Sequence, residues 1–170
     1  MYGSVLSGGL SGHVHGTAAY DITTTGEPAG MRPHVWDALK YESGKYMQHL
    51  ATFVLSEGAK YQLLQLASED IHPQKASGSP EDGLDGWSYM MRTPDRDFAL
   101  LYFENKSALP EITGFIPKKS YHLLWYNPVT GEWKESVILQ TDEKGVLTLP
   151  LFPDRQNQVI SDWAAKITLK

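Results

Sequence analysis

The spacing of apolar residues divides the chain into a helical first part and a strand-rich second part. Apolar residues recur at intervals of three and four from Tyr46 to Val54, which predicts an amphipathic helix. Ser43 is a suitable N-cap for this helix, and Gly58 is a suitable end. Residues 2–6 have the same helical spacing over a single turn, followed by two glycines.

From residue 87 onward the apolar residues alternate with polar ones or form short continuous runs, as they do in strands. Turn residues separate these runs at regular intervals. The predicted strands are 87–93, 98–103, 121–126, 133–139, 146–151 and 163–169. Such a series of short strands predicts a small antiparallel β-sandwich of the immunoglobulin-like type.

Residues 68–86 separate the two parts and are rich in turn-forming residues. Pro73, Pro80 and the pairs Asp82-Gly83 and Asp85-Gly86 are typical of loops and linkers. We therefore predict a first unit over residues 1–67, a linker over 68–86 and a β-sandwich over 87–170.

Charge and composition exclude several classes of function. The net charge of −5 and the lack of Lys/Arg clusters beyond Lys118-Lys119 argue against a nucleic-acid partner. No apolar run approaches the roughly 18 residues of a membrane span, so no membrane partner is expected. The chain has no cysteine, which rules out disulfides, a thiol nucleophile and cysteine-bound metal. No phosphate-binding loop, dinucleotide fingerprint or nucleophile elbow occurs, and we expect no cofactor.

The stretch 8–16 combines four glycines with His13 and His15, which lie on the same side of a predicted strand. Three interpretations of the histidines remain open: sugar binding, a structural hydrogen bond to a backbone carbonyl, or metal binding. Metal binding is the weakest of the three, because no acidic residue or third histidine is well placed nearby in the sequence.

Five motifs follow one another along the chain: Leu6-Ser7-Gly8-Gly9, Gly12-His13-Val14-His15-Gly16, Trp36-Asp37-Ala38-Leu39, Gly44-Lys45-Tyr46-Met47 and Trp125-Tyr126-Asn127-Pro128-Val129-Thr130-Gly131. Their order resembles the C-terminal part of bacterial glycoside hydrolases of the apiosidase-like (β/α)₈-barrel family. Members of this family are often described as putative collagen-binding or polysaccharide-degrading proteins.

The resemblance implies a fold in which residues 1–67 form the C-terminal portion of an α/β barrel. They would supply the end of helix 7, strand 8, the loop 17–33 and helix 8, and the sandwich would be appended to them. Barrel enzymes keep their sites at the carboxyl ends of the strands, so His13, His15 and Tyr20 would line a sugar site. Related proteins commonly have Tyr in place of His15 and a Trp near the position of Tyr20, so this wall of the site has changed.

No residue of this chain is assigned as a catalyst, because the resemblance places the paired catalytic carboxylates upstream. The candidate carboxylates within the first part are Asp21, Glu27, Asp37 and Glu42. Asp21 and Glu27 lie in the loop 17–33, where a solvated charge is the commoner explanation. In the sandwich, exposed tryptophans would indicate glycan binding, whereas a core or strand-edge role is the commoner alternative. The tryptophans concerned are Trp87, Trp125, Trp133 and Trp163.

The predicted function is the C-terminal portion of a glycoside hydrolase that acts on plant or algal polysaccharide, and that is secreted or periplasmic. The alternative is a non-catalytic carbohydrate-binding or interaction module. A helix end followed at once by a glycine-rich strand is an unusual opening, so we expect a longer parent chain, a second polypeptide carrying the upstream barrel, or a domain-swapped oligomer. A barrel fragment would also expose apolar surface at Val5, Leu6, Val14 and the helix stripe, whereas burial of these residues in the chain's own core would argue against a barrel fragment.

Overall fold

The computed structural model of the chain describes residues 1–10, 42–76, 85–154 and 161–170. Helices α1 (Tyr2–Leu6) and α2 (Ser43–Val54) lie in these ranges, with 3₁₀ helices at Gly58–Leu63 and Ser68–Asp70. The strands there are β1 (Gln65–Leu66), β2 (Ile71–His72), β3 (Ser88–Arg92), β4 (Phe98–Phe103), β5 (Glu111–Ile112), β6 (Ser120–Asn127), β7 (Glu132–Trp133), β8 (Val137–Gln140), β9 (Leu147–Thr148) and β10 (Trp163–Leu169). Among the helices of these ranges, none is long and apolar enough to cross a membrane.

The strands form two antiparallel sheets that make a β-sandwich. The large sheet has the order β1-β3-β4-β10-β6-β7, and β8 pairs with the remaining length of β6. The small sheet has the order β2-β5-β9. The long pairings of β10 with β4 and with β6 place these three strands at the centre of the large sheet.

Strand β4 shows how the large sheet buries both of its faces. Ala99, Leu101 and Phe103 pack in the core between the two sheets. The alternate residues Phe98, Leu100 and Tyr102 pack in a second core on the opposite face. All six residues are buried, which explains why the sequence of this strand is a continuous apolar run. The chain therefore has three layers, and we call the helices of the second core (α1, α2 and Gly58–Leu63) the helical layer.

The helical layer packs against the large sheet through its apolar stripe. Val5, Leu6, Leu50 and Phe53 are each at most 5% exposed and belong to this second core. The expected apolar surface at Val5 and Leu6 is therefore wrong for these two residues, because the sandwich itself covers them. Val14 lies outside the described residues.

The long predicted strands are confirmed, and the short ones differ. The helix stripe, β4 and β10 match their predicted ranges closely. The predicted strand 133–139 is split into β7 and β8, because the intervening residues 134–136 are polar and all exposed. The N-cap of α2 is Glu42 in place of Ser43, without a side-chain hydrogen bond.

Residues 68–76 lie within the sandwich, although the sequence places them in a linker. Ile71 is 1% exposed in the core between the sheets, and its strand β2 pairs with β5. Just before them, β1 pairs with β3 at the edge of the large sheet. A single buried residue among turn-forming ones gives no periodic signal, which is why the composition indicates a linker here.

A largely buried ion pair joins β3 to the residues that flank the small sheet. The Arg92 guanidinium donates through Nη2 to Asp70 Oδ2 at 2.6 Å and through Nη1 to the Thr113 carbonyl at 2.9 Å. The Arg92 side chain is 12% exposed and also lies over the Phe115 ring. Gly114 adjoins this pair with φ +77°, and a Cβ there would lie 2.6 Å from Asp70 Oδ2. Only glycine fits both the backbone angle and the space.

Candidate functional site

The sequence-predicted sugar-site residues His13, His15 and Tyr20 lie outside the described residues. The carboxylates Asp21, Glu27 and Asp37 do as well. Glu42 is described, and it is exposed at the start of α2, where it accepts a hydrogen bond from the Tyr46 hydroxyl. This contact raises the pKa of the Tyr46 hydroxyl and gives Glu42 a local structural role.

The tryptophans of the sandwich do not form an exposed platform for sugar rings. Trp125 and Trp163 are buried in the core between the sheets. Trp87 is half-buried with the Lys75 ammonium 5.0 Å from its ring centroid, and half-buried Trp133 stacks on Phe53 of α2. Within the described ranges no Trp, Tyr or Phe is exposed, so these rings serve the core and the strand edges.

The turn formed by residues 125–131 holds α2 on the sandwich. The Asn127 side-chain oxygen accepts hydrogen bonds from the backbone N–H groups of Val129 and Thr130, which fixes the turn. The Nδ1–H of His49 donates to the Pro128 carbonyl at 3.2 Å, and the Tyr126 hydroxyl donates to the His49 carbonyl at 2.9 Å. This motif, one of the five on which the family resemblance rests, is therefore a docking corner for the helix.

Gly131 is the point of closest approach in this corner, and its replacement tests the contact. Its φ is +73°, and a Cβ would lie 2.6 Å from Cδ2 of His49. We expect Gly131→Ala to destabilise the chain by about 2–3 kcal/mol, from the positive φ and the displaced imidazole together. Urea denaturation of the 170-residue chain measures this loss.

Two other glycines provide matched controls for Gly131→Ala. Gly58 has φ +58° with no atom within 4 Å of a Cβ, so Gly58→Ala isolates the backbone cost, about 1 kcal/mol. Gly44 has neither constraint, so Gly44→Ala should not destabilise the chain. If Gly131→Ala lowers the free energy of unfolding no more than Gly58→Ala does, the His49 contact does not explain the loss. The same holds if Gly131→Ala causes an equal loss in a His49→Ala background.

The strongest pKa shifts belong to tyrosines beneath α1. Burial raises the pKa of Tyr102, and Asp162, which accepts its hydrogen bond at 2.5 Å, raises the pKa further. Burial and a hydrogen bond to Glu104 raise the pKa of Tyr89 to about 12. Burial likewise raises the pKa of Tyr2, which stacks on Tyr102. The Tyr89 and Tyr102 hydroxyls donate to carboxylates, and all three hydroxyls stay protonated at neutral pH, so they cannot act as bases.

An apolar groove lies on the outer side of the helical layer, with a volume of about 240 Å³. Its walls come from the end of α1, from α2 and from Tyr61, and Leu55 at its rim is 52% exposed. The lining residues are Val5, Gly9, Leu10, Met47, Leu50, Ala51, Val54, Leu55 and Tyr61. Part of the predicted apolar stripe therefore does remain open to contact.

A polar cavity of about 450 Å³ lies on the other side of the large sheet, between β5, β8, β9 and the turn 141–146. The lining residues are Glu111, Gln140, Thr141, Asp142, Lys144, Val146 and Thr148. This cavity is not predictable from the sequence, because its residues come from separate segments and two of its strands have only two residues each. The one available signal is the turn-forming run Asp142-Glu143-Lys144-Gly145 between two predicted strands. In the described part of the chain, no group of three His, Asp or Glu side chains is arranged to hold a metal ion.

The described architecture defines the class: an antiparallel β-sandwich domain with a helical layer on one face. The sequence matches, over residues 80–165, the family described as the putative collagen-binding domain of a collagenase. This match spans just over half of the 170 residues, and the chain belongs to that family. Curated protein sequences gave no match.

Solved structures of glycoside hydrolases share the fold. One, titled "Glycoside hydrolase", is 15% identical with a TM-score of 0.56, over 84% of this chain and 30% of that one. A glycoside hydrolase family 5 protein from Bacteroides vulgatus ATCC 8482 is 17% identical with a TM-score of 0.57, over 82% and 27%. The chain thus spans less than a third of the length of these two hydrolases. Because the matches cover over four fifths of the chain, they include residues outside the 80–165 segment.

Proposed function

We propose that the chain is the C-terminal accessory portion of a larger glycoside hydrolase, and that catalysis belongs to another part of that protein. The observation that carries this proposal is the shared fold with two glycoside hydrolases over 82–84% of the chain and only 27–30% of theirs. In this proposal the parent enzyme is of the apiosidase-like type, is secreted or periplasmic, and attacks plant or algal polysaccharide. Residues 1–67 contribute the end of its barrel, and the sandwich is immunoglobulin-like.

The apolar groove supports this arrangement, and its proposed occupant is the catalytic barrel of the same protein. The groove is open, apolar and formed by the helices that the resemblance assigns to the barrel end. Leu10 in its wall is the last described residue before the stretch 11–41, which carries the proposed strand 8. Covering the groove would remove the exposed side chain of Leu55 from water. Each Å² of apolar area buried in this way stabilises the contact by about 25 cal/mol.

In the same proposal, His13, His15 and Tyr20 form one wall of the sugar site. The support is the position of the Gly-His motif in the resemblance, after a helix end and before a long loop. Imidazole nitrogens and a phenol hydroxyl can each hydrogen-bond to sugar hydroxyls. Cleavage itself would use a pair of carboxylates elsewhere in the protein.

The test compares the 170-residue chain with the full-length gene product that contains it. Both are assayed for reducing-sugar release from a panel of plant and algal polysaccharides, with fibrillar collagen as an added substrate. We expect activity on a polysaccharide from the full-length protein alone, and a raised KM in His13→Ala and His15→Ala. Hydrolysis by the 170-residue chain alone, or collagen cleavage without sugar release, would overturn the proposal.

The groove is tested in the same full-length protein with a charge placed in its wall. Val54→Asp should loosen the contact with the barrel and expose the junction to limited proteolysis. Ile138→Asp is the matched control, because Ile138 is 54% exposed on β8, outside the groove. If both variants and the unsubstituted full-length protein are cleaved at the same rate, the barrel is not the occupant of the groove.

A further inference from the structure

The polar cavity is framed by the outer face of the small sheet, where strand register aligns polar side chains. Ile71, Ile112 and Leu147 point into the core, so their neighbours His72, Glu111 and Thr148 point outward. His72 is directly opposite Glu111, and Glu111 is directly opposite Thr148. Such facing side chains lie about 5 Å apart, and these three form an exposed row across the sheet.

The floor and one wall of the cavity are held rigidly by the turn 141–146. Thr141 is 3% exposed, and its hydroxyl donates to the Ile116 carbonyl at 2.7 Å while accepting from the Lys119 N–H. Asp142 Oδ1 accepts hydrogen bonds from the N–H groups of Lys144 and Val146, both at 2.8 Å. These bonds hold the pKa of the Asp142 carboxyl below its usual value, so it stays charged at neutral pH.

The groups that face the open cavity remain uncommitted. Glu111, Gln140 and Thr148 make no side-chain hydrogen bond or ion pair to another residue of the described ranges, and the Lys144 ammonium interacts with Asp142 through its charge only. Each is exposed at the rim of the cavity. The cavity volume of about 450 Å³ lies within the range of about 300–1,000 Å³ typical of small-ligand sites.

The chemistry of these groups selects a ligand that both donates and accepts hydrogen bonds. The carboxylate of Glu111 only accepts, the ammonium of Lys144 only donates, and the Gln140 amide and Thr148 hydroxyl do both. A phosphate or sulfate group would satisfy Lys144 but would be repelled by Glu111 and Asp142. A metal cation would be repelled by Lys144. Adjacent hydroxyls of a neutral sugar satisfy every group without leaving a charge opposed.

We infer that the polar cavity of the sandwich is a binding site for a neutral oligosaccharide, separate from the hydrolytic site. This inference deepens the proposed function, because an accessory portion of a glycoside hydrolase would keep the enzyme near its polymer. No residue that lines the polar cavity belongs to the helical layer, so the groove on that layer and the cavity can be occupied together. Without an aromatic platform the binding is weak and relies on hydrogen bonds.

The experiment titrates the isotopically labelled 170-residue chain with neutral oligosaccharides and follows backbone amides by NMR. The probes are short β-1,4-linked oligomers of glucose, xylose and mannose, tested separately, and a collagen-like peptide. We expect saturable shifts at Lys144, Gly145 and Thr148 with at least one oligosaccharide. Glu111→Gln and Gln140→Ala should each weaken that binding by about fivefold or more.

Matched variants outside the cavity complete the design. Glu135→Gln changes an exposed carboxylate, and Gln62→Ala an exposed amide, at positions that do not line the cavity. Neither should alter the affinity. Oligosaccharide shifts confined to another surface, equal effects of the cavity and control variants, or saturation by the collagen-like peptide alone would overturn the inference. Absence of all binding would do so too, yet it would leave the proposed function intact, because that is judged by the activity and proteolysis of the full-length protein.

Discussion

Phe53→Ala is expected to lower the free energy of unfolding of the 170-residue chain by about 3–5 kcal/mol, the usual cost of emptying a buried phenylalanine site. Phe53 is fully buried and is one of the α2 residues that pack against the large sheet. Its ring lies 5.4 Å from that of Tyr126 and 5.9 Å from that of Trp133, between ring centroids. Removing the ring leaves a cavity that these rigid neighbours cannot fill.

The Phe53→Ala loss is measured by urea denaturation followed by tryptophan fluorescence and far-UV circular dichroism. Leu55→Ala serves as the control, because Leu55 follows α2 directly but is 52% exposed in this chain. It should change the stability by about 0.5 kcal/mol or less. A similar small loss from Phe53→Ala would mean that α2 does not pack on the large sheet.

Arg92→Leu is expected to cost about 3 kcal/mol, because it leaves the Asp70 carboxylate without its ionic partner. Asp70 is only 27% exposed, and its Oδ1 retains only the hydrogen bond from the Thr113 hydroxyl. The value lies at the lower end of the cost of breaking a buried pair, since Asp70 keeps some access to water. Thermal or urea unfolding of the variant measures it.

A double-mutant cycle separates the ion pair from the packing of the Arg92 side chain. Asp70→Asn combined with Arg92→Leu removes the stranded charge, so the double variant should be more stable than the sum of the two single losses predicts. Lys118→Ala breaks the exposed pair with Glu143, whose side chains are 66% and 83% exposed, and should cost about 0.5 kcal/mol or less. Additive losses in the cycle would show that the two charges are not coupled.

The sequence predicted the elements whose burial follows a simple period. The stripe of α2 has helical spacing, and β4 and β10 are nearly continuous apolar runs because both of their faces are covered. The small sheet has strands of two residues each, which are too short to show a period. The helix stripe is predictable as an element, but an apolar stripe does not reveal which surface covers it. The assignment of residues 1–67 to the end of a barrel stays a prediction.

The candidate sites likewise divide into features that a local sequence pattern reveals and features that only the fold reveals. The tryptophans were visible as residue types, but only the fold shows that α2 covers Trp133 and that the core encloses Trp125. Glu111 and Thr148 are far apart in the sequence, and the register of β5 with β9 brings them together. Local patterns cannot supply such a register. The sugar-site role of His13, His15 and Tyr20 stays a prediction.

The helical layer also determines how this domain could be exchanged between proteins. The second core takes residues from α1 and α2 as well as from β3, β4, β6 and β10. A gene fragment that began at the first long strand would carry an apolar sheet face stripped of its cover, including Phe98 and Leu100. The unit that recombination could transfer as a stable fold is therefore the sandwich together with the preceding helices. The 125–131 turn holds these two parts together.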